Sequence, residues 1–234
     1  MFENLNIPKN VAQEKESVGG KSFIVETGVY KGIIEVAYGS TAKSGAKAVN
    51  LHIRLVDGTV LRETVYVTNK QGGVTYTNKK DNTEHFLPGY SQINGLVELV
   101  TGKGLASATM EDKVINLWNF DHKKEMPTTV PVLVDLTNKP IEVAVLKELV
   151  NKKEQVGNEW VATAETKEIN TIDRFFDAET GKTIGETREG SEAVFKDKWL
   201  KNWEGKTKDS TDKTIKPATR VGSSAKTSSL FDDL

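Results

Sequence analysis

The chain has 234 residues, 37% hydrophobic and 28% charged, and its 32 Lys+Arg against 33 Asp+Glu leave a net charge of -1, which carries no bulk electrostatic signature. It has no cysteine, which excludes disulfides, thiol nucleophiles, iron–sulfur clusters and thiolate zinc sites and fits a reducing cytoplasm. No run approaches the roughly 18 apolar residues of a membrane-spanning helix, and residues 1–10, with Glu3 and Pro8, lack the apolar stretch of a signal peptide.

Composition divides the chain into a polar arm over 1–20, a body over 21–204 that holds nearly all aromatic and β-branched residues, and a tail over 205–234. Within the body, 29–38 reads as a strand broken by Gly32. Residues 48–56 alternate, with Val49, Leu51, Ile53 and Leu55 on one face and Asn50, His52 and Arg54 on the other. Asp57-Gly58 signals a hairpin, and its register follows from the apolar pattern. A two-residue loop would set the apolar face of the first strand against Val60, Arg62, Thr64 and Tyr66. A three-residue loop with Gly58 in the left-handed position pairs 55 with 59, and then Ile53 meets Leu61 and Val49 meets Val65. The bulged hairpin is therefore expected. It leaves Asn50, His52, Arg54, Arg62, Thr64 and Tyr66 on one outward face without a carboxylate, and puts Glu63 on the apolar side, near an edge or hydrogen-bonded.

A second hairpin is expected to turn at Gln71-Gly72-Gly73 and return over 74–77, followed by a loop over 78–82. Residues 91–101 read as a helix capped by Ser91 and ended by Gly102, with Ile93, Leu96, Val97 and Val100 in one stripe. Strands are expected over 113–120 and from 159 to 176. Residues 141–149 fit a helix as well, but their β-branched content favours a strand. A turn at 178–182 precedes an amphipathic helix over 191–204, whose Phe195, Trp199 and Trp203 are suited to docking it on the body. The pattern predicts a mainly β protein: an OB-fold-like β-barrel with added hairpins, one internal helix and a C-terminal helix.

Catalytic chemistry finds little footing. His52, His85 and His122 lie in unrelated segments without ligand spacing, Gly181-Lys182-Thr183 lacks the earlier glycine of a phosphate loop, and the spacing of Asp173 and Asp177 could give an acid pair by chance alone. No cofactor, metal, membrane or small-molecule substrate is expected. Charge placement says more. Residues 41–80 hold seven basic residues (Lys43, Lys47, Arg54, Arg62, Lys70, Lys79, Lys80) and two acidic ones, a local charge of +5 with Tyr66 and Tyr76 interleaved. Cations that follow a phosphate backbone, between aromatic faces on which any base stacks, suit single-strand binding. His52 lies on the same face, and Trp160 beside Lys152 and Lys153 is a second stacking candidate. The alternative is a solvated sheet face.

Residues 205–227 are poor in apolar side chains and carry a net charge of +4, the composition of a disordered linker. They lead to an acidic, apolar tip in which Leu230, Phe231, Asp232, Asp233 and Leu234 are suited to docking into a basic, apolar-lined pocket. A basic, aromatic β-body with such a tether and tip resembles the single-stranded DNA-binding proteins of bacteriophage replication and recombination. The stretches Glu63-Thr64-Val65-Tyr66-Val67-Thr68 and Phe86-Leu87-Pro88-Gly89-Tyr90, and Phe195 with Lys198-Trp199 and Lys201-Asn202, carry the resemblance. It implies an OB-fold that coats single-stranded DNA in the host cytoplasm, and a tail that recruits replication or recombination enzymes. Two aspartates and a final Leu depart from the usual tail. The rival expectation is a non-catalytic β-rich adaptor or assembly module.

Overall fold

A computed structural model describes residues 24–215, apart from 120 and 158; the arm over 1–20 and the tip over 228–234 lie outside the described residues. In chain order the strands are β1 (Gly28–Thr41), β2 (Lys47–Leu55), β3 (Val60–Tyr66), β4 (Thr75–Thr77), β5 (Glu84–Phe86), β6 (Met110–Asn119), β7 (Lys124–Leu133), β8 (Lys139–Val156), β9 (Glu159–Phe176) and β10 (Thr207–Asp209). The helices are α1 (Pro88–Thr101), α2 (Ile184–Glu189) and α3 (Phe195–Trp203). Eight strands form one sheet along the path β10–β8–β1–β2–β3, with β9 on β8 and the β6–β7 hairpin on β1; β4 and β5 pair apart from it.

The β2–β3 hairpin takes the bulged register. Val49 lies opposite Val65 and Ile53 opposite Leu61. Leu55 N donates to Thr59 O at 2.8 Å, Gly58 N donates to Leu55 O at 2.9 Å, and Gly58 sits at φ +87°, a conformation that only glycine adopts without cost. On β1 the register with β2 shifts between Ile34 and Val36. This bulge lets β1 pair with β8 over Gly28–Ile34 on one side and reach β7 at Tyr38 beyond it.

The core lies on the inner face of the sheet. Leu51, Ile53, Leu61 and Val65 pack with Ile34, Val143, Val145 and Ile172, and α1 covers them with Ile93, Leu96 and Val97. On the other face, α3 packs Trp199 against Ala144, Leu146 and Phe176, with Phe195 and Trp203 alongside. Residues 141–146 of β8 are thus buried on both faces, and such strands lose the alternation that distinguishes them from helices. This explains the ambiguity of 141–149 and settles it as strand. The buried Glu142 is held by Lys196 of α3 at 2.8 Å.

Several expectations are corrected. The sheet is not closed into a barrel: β3 and β9, each with a partner on one side only, meet without a ladder between them. There Glu63, the carboxylate placed on the apolar side, accepts the Ile172 N–H at 2.7 Å. The helix read over 91–101 starts three residues earlier, with Pro88 in its first turn and no side-chain cap from Ser91, because the fixed φ of proline suits a first turn. Gly89 is required there, since a Cβ would stand 2.2 Å from Tyr66 O. The turn at Gln71–Gly73 forms, pinned by Asn69 Oδ1, which accepts from Gln71 N and Gly73 N, but it does not close the expected second hairpin. Its returning strand β4 pairs with β5, not with β3. The helix read over 191–204 begins only at Phe195. The Glu186 carboxylate takes the N–H groups of Val194 and Phe195 at 2.8 and 2.7 Å, and a capping box with Thr183 makes α2 a separate element. Finally, the linker does not start at 205. Thr207–Asp209 adds a parallel strand beside Lys147–Leu149, where Lys208 and Ser210 both bond the buried Glu148 carboxylate.

Candidate nucleic-acid interface

The outward face of β1–β3 is built by alternation. Because Val49, Leu51 and Ile53 point inward, Asn50, His52 and Arg54 must point out, and the register sets Asn50 opposite Thr64 and His52 opposite Arg62. Thr64 Oγ1 donates to Asn50 Oδ1 at 2.7 Å, and Asn50 Nδ2 donates to Ser40 Oγ at 2.8 Å. Tyr38 stands edge-on to His52 with ring centroids 5.8 Å apart. The β6–β7 ribbon arches over this face and encloses a groove of about 550 Å3 between Tyr38, His52, Arg62 and Thr64 on one side and Asn116 and Trp118 on the other. Trp118 is 54% exposed.

The electrostatics follow from partial burial beside a cation. Desolvation and then the Arg62 charge hold the His52 imidazole below its ordinary value, so it is neutral at pH 7. Desolvation raises Tyr38, so its hydroxyl stays protonated. Arg62 makes no ion pair among the described residues. Arg54, by contrast, is paired with Glu35, whose Oε1 accepts from both Nε and Nη2 at 2.7 Å. The outward face therefore does hold a carboxylate, because the β1 bulge falls at Glu35 and aims it at β2. Glu63 and Glu125 also line the groove. Burial, reinforced by Glu148 and Asp173 and opposed by the Ile172 N–H bond, pushes the Glu63 carboxyl up to about 7.

The remaining predicted residues fall in three further places. Lys43, Lys47 and Lys70 gather at one end of the sheet, where Lys47 N bonds Thr68 Oγ1 and Gly45 lies against the Lys70 carbonyl; all three lysines are exposed. Tyr66, 54% exposed, stands on the outward face near that end, opposite Ala48. Tyr76, Lys79 and Lys80 belong to the β4–β5 hairpin, with Tyr76 against His85 at 5.8 Å and Phe86 against Tyr90 at 5.1 Å. Lys152, Lys153 and Trp160 lie on the outer half of the β8–β9 ribbon, where Trp160 is 65% exposed and Lys152 pairs with Glu165 at 2.9 Å. Leu230, Phe231, Asp232, Asp233 and Leu234 are outside the described residues.

Sequence reasoning missed Tyr38, Asn116 and Glu125, and Trp118 alone fits a core position as well as a contact. Tyr38 was findable, since it precedes a strand of outward-facing partners; the other three need the arch of β6–β7. Asp173 and Asp177 do not form an acid pair: Asp173 accepts the Trp199 indole N–H at 2.7 Å and Asp177 closes the turn at Thr180. Among the described residues no group of three His, Asp or Glu could hold a metal ion, and no helix is long and apolar enough to cross a membrane. No protein-family model and no curated protein matches the chain.

Proposed function

We propose that the protein binds single-stranded DNA without catalysis, coating it in phage-type replication, recombination and repair, and recruits partner enzymes through residues 228–234. The observation that carries this reading is the groove lined by the rings of Tyr38, His52 and Trp118 together with Arg62, which makes no ion pair among the described residues. A phosphate suits the guanidinium, and bases suit the ring faces; Asn50, Thr64 and Asn116 offer hydrogen bonds to any base edge without forming a fixed code. The lysine cluster at 43, 47 and 70 would carry the backbone onward, and the β4–β5 hairpin and Trp160 would extend the stacking surface. In this reading β1, β2, β3, β8 and β9 correspond to an OB-fold-like half-open barrel, in which the bond donated by the Ile172 N–H to the Glu63 carboxylate takes the place of the closing ladder.

Titration with a poly-dT oligonucleotide, followed by tryptophan emission, tests the proposal. Strong quenching with salt-sensitive affinity is expected, and Trp118→Phe should remove most of it. Absence of any response refutes it. One observation favours the adaptor reading: Val156 and Val161 are exposed on one face of the outer β8–β9 ribbon and Trp160 on the other, apolar side chains that suit a protein partner. Oligonucleotide binding that ignores Trp160→Ala would leave the ribbon to that role.

A further inference from the structure

The sheet face that carries the groove has a second cover. At one end β6–β7 arches over it, and at the other α3 lies on it: Val29 of β1 and Arg174 of β9 both stand opposite Ala144 of β8, and Val29 and Ala144 pack against the helix. Alternation along β1 puts Val29, Lys31 and Ile33 on this face, and Ile33 stands opposite Arg54. Between the covers the surface is open, with Lys31 and Ile33 exposed. A cavity of about 440 Å3 lies between α3 and β9. Phe195, Trp199 and Trp203 supply its aromatic wall, and its exposed lining side chains are Lys198, Asn202 and Arg174. The carboxylate of Asp173 in the same lining accepts the Trp199 indole N–H and an Arg174 N–H. Lys198 makes no ion pair among the described residues.

We propose that this cavity is a second nucleotide site, in which a base stacks on Trp203 and the flanking phosphates meet Lys198 and Arg174, so that one DNA strand runs from the groove across Lys31 and Ile33 to α3. The proposal rests on the single-strand reading of the groove. Three observations select this ligand. The cavity repeats the groove's chemistry from unrelated residues: a ring, a cation and a side-chain amide, Trp203, Lys198 and Asn202 here against Trp118, Arg62 and Asn116 there. Its charge is unbalanced, because the one lining carboxylate is already engaged while Lys198 is not, so an anionic group attached to a flat ring suits it better than a neutral ligand. Its position is the third. Both sites open on the same sheet face, and nine residues of β1 separate Val29 from Tyr38, about 30 Å. A strand that fills the groove therefore reaches α3 only if it extends several nucleotides further. Trp203 is half-buried where Trp118 is exposed, so it adds the smaller share of any emission change.

The absence of cysteine permits a footprint on the full chain. The thiol of Asn202→Cys should react with iodoacetamide at least about fivefold more slowly when the protein is saturated with poly-dT of about 15 nucleotides. Affinities for this oligonucleotide and for one of about 4 nucleotides, which covers the groove alone, give the second readout. Lys198→Glu should weaken the long one about tenfold and lower its salt slope by about one to two counterions, and leave the short one within about twofold. Trp203→Ala should act in the same direction, and Arg62→Ala should weaken both. Cooperative unfolding in urea is checked for each variant; Lys198 is exposed, so its charge reversal carries the test if Trp203→Ala does not fold. Undiminished alkylation with the long oligonucleotide, indifference to Lys198→Glu, or equal loss for both lengths would overturn the second site, while a response to Arg62→Ala keeps the groove. A response to Lys198→Glu with none to Arg62→Ala would overturn the groove reading and the continuous path with it. No binding at either length refutes both.

Discussion

Glu63→Gln isolates the one buried titration at the open seam. The Glu63 carboxyl stands at about 7 in the folded protein against an ordinary 4.5, mainly because β3 and β9 exclude water around it. At pH below 4.5 it is protonated in both folded and unfolded chains and contributes no difference. Between 4.5 and 7 the unfolded chain releases the proton while the folded chain keeps it, so stability falls as pH rises through this window and stays reduced above 7. The shift corresponds to a ceiling of about 3 kcal/mol. Relaxation and water entry at an edge strand bring the expected loss to about 1–2 kcal/mol. Glutamine keeps the shape and an oxygen that accepts the Ile172 N–H, but never ionises. The variant should therefore match the parent near pH 5 and exceed it at pH 8 by about 1–2 kcal/mol, or about 2–8 °C in thermal midpoint. Carboxylates held low by hydrogen bonds, such as Glu98 and Asp135, produce the opposite slope, but they are common to both proteins and cancel in the difference. Urea unfolding followed by circular dichroism at pH 5, 6, 7 and 8 provides the comparison. Parallel pH profiles for the two proteins, or a variant less stable at pH 8, would show that Glu63 is not a buried acid and that the seam is wet.

The other expectations concern binding and packing. Arg62→Ala should lower the salt slope of oligonucleotide affinity by about one counterion, while Arg54→Ala should change it much less because Glu35 already neutralises that guanidinium; equal effects would move the phosphate path to the Arg54 end. Trp118→Ala should cost ~1–3 kcal/mol of single-strand affinity with little change in thermal midpoint, whereas a large stability loss would make Trp118 a packing residue. Gly89→Ala should destabilise the fold by about 2 kcal/mol or more, since its Cβ would meet the Tyr66 carbonyl at 2.2 Å, and a neutral result in urea unfolding would contradict the close approach of α1 to β3. Lys208→Met should release β10 by leaving Glu148 with Ser210 alone, seen as faster amide exchange over 207–209; unchanged exchange would show that the ladder to β8 suffices.

Local chemistry was legible wherever one face of a strand or helix is wet. Alternation over 48–56 and the single workable place for Gly58 determined the β2–β3 register, and with it which side of the ribbon carries Asn50, His52, Arg62, Thr64 and Tyr66. The stripe of α1, its end at Gly102 and the docking of Phe195, Trp199 and Trp203 followed from periodicity for the same reason. What sequence could not decide depended on atoms brought together from distant segments. The bulge at Glu35 turned a carboxylate toward Arg54, Lys208 turned a stretch of linker composition into a strand by answering the buried Glu148, and Glu186 stopped α3 by taking its first N–H groups. Periodicity reports which faces are covered, but not what covers them. The arch of β6–β7 that brings Trp118 to the groove lined by Arg62, and the open edge where Glu63 meets β9, are set by long-range packing and desolvation, which no local window of residues contains.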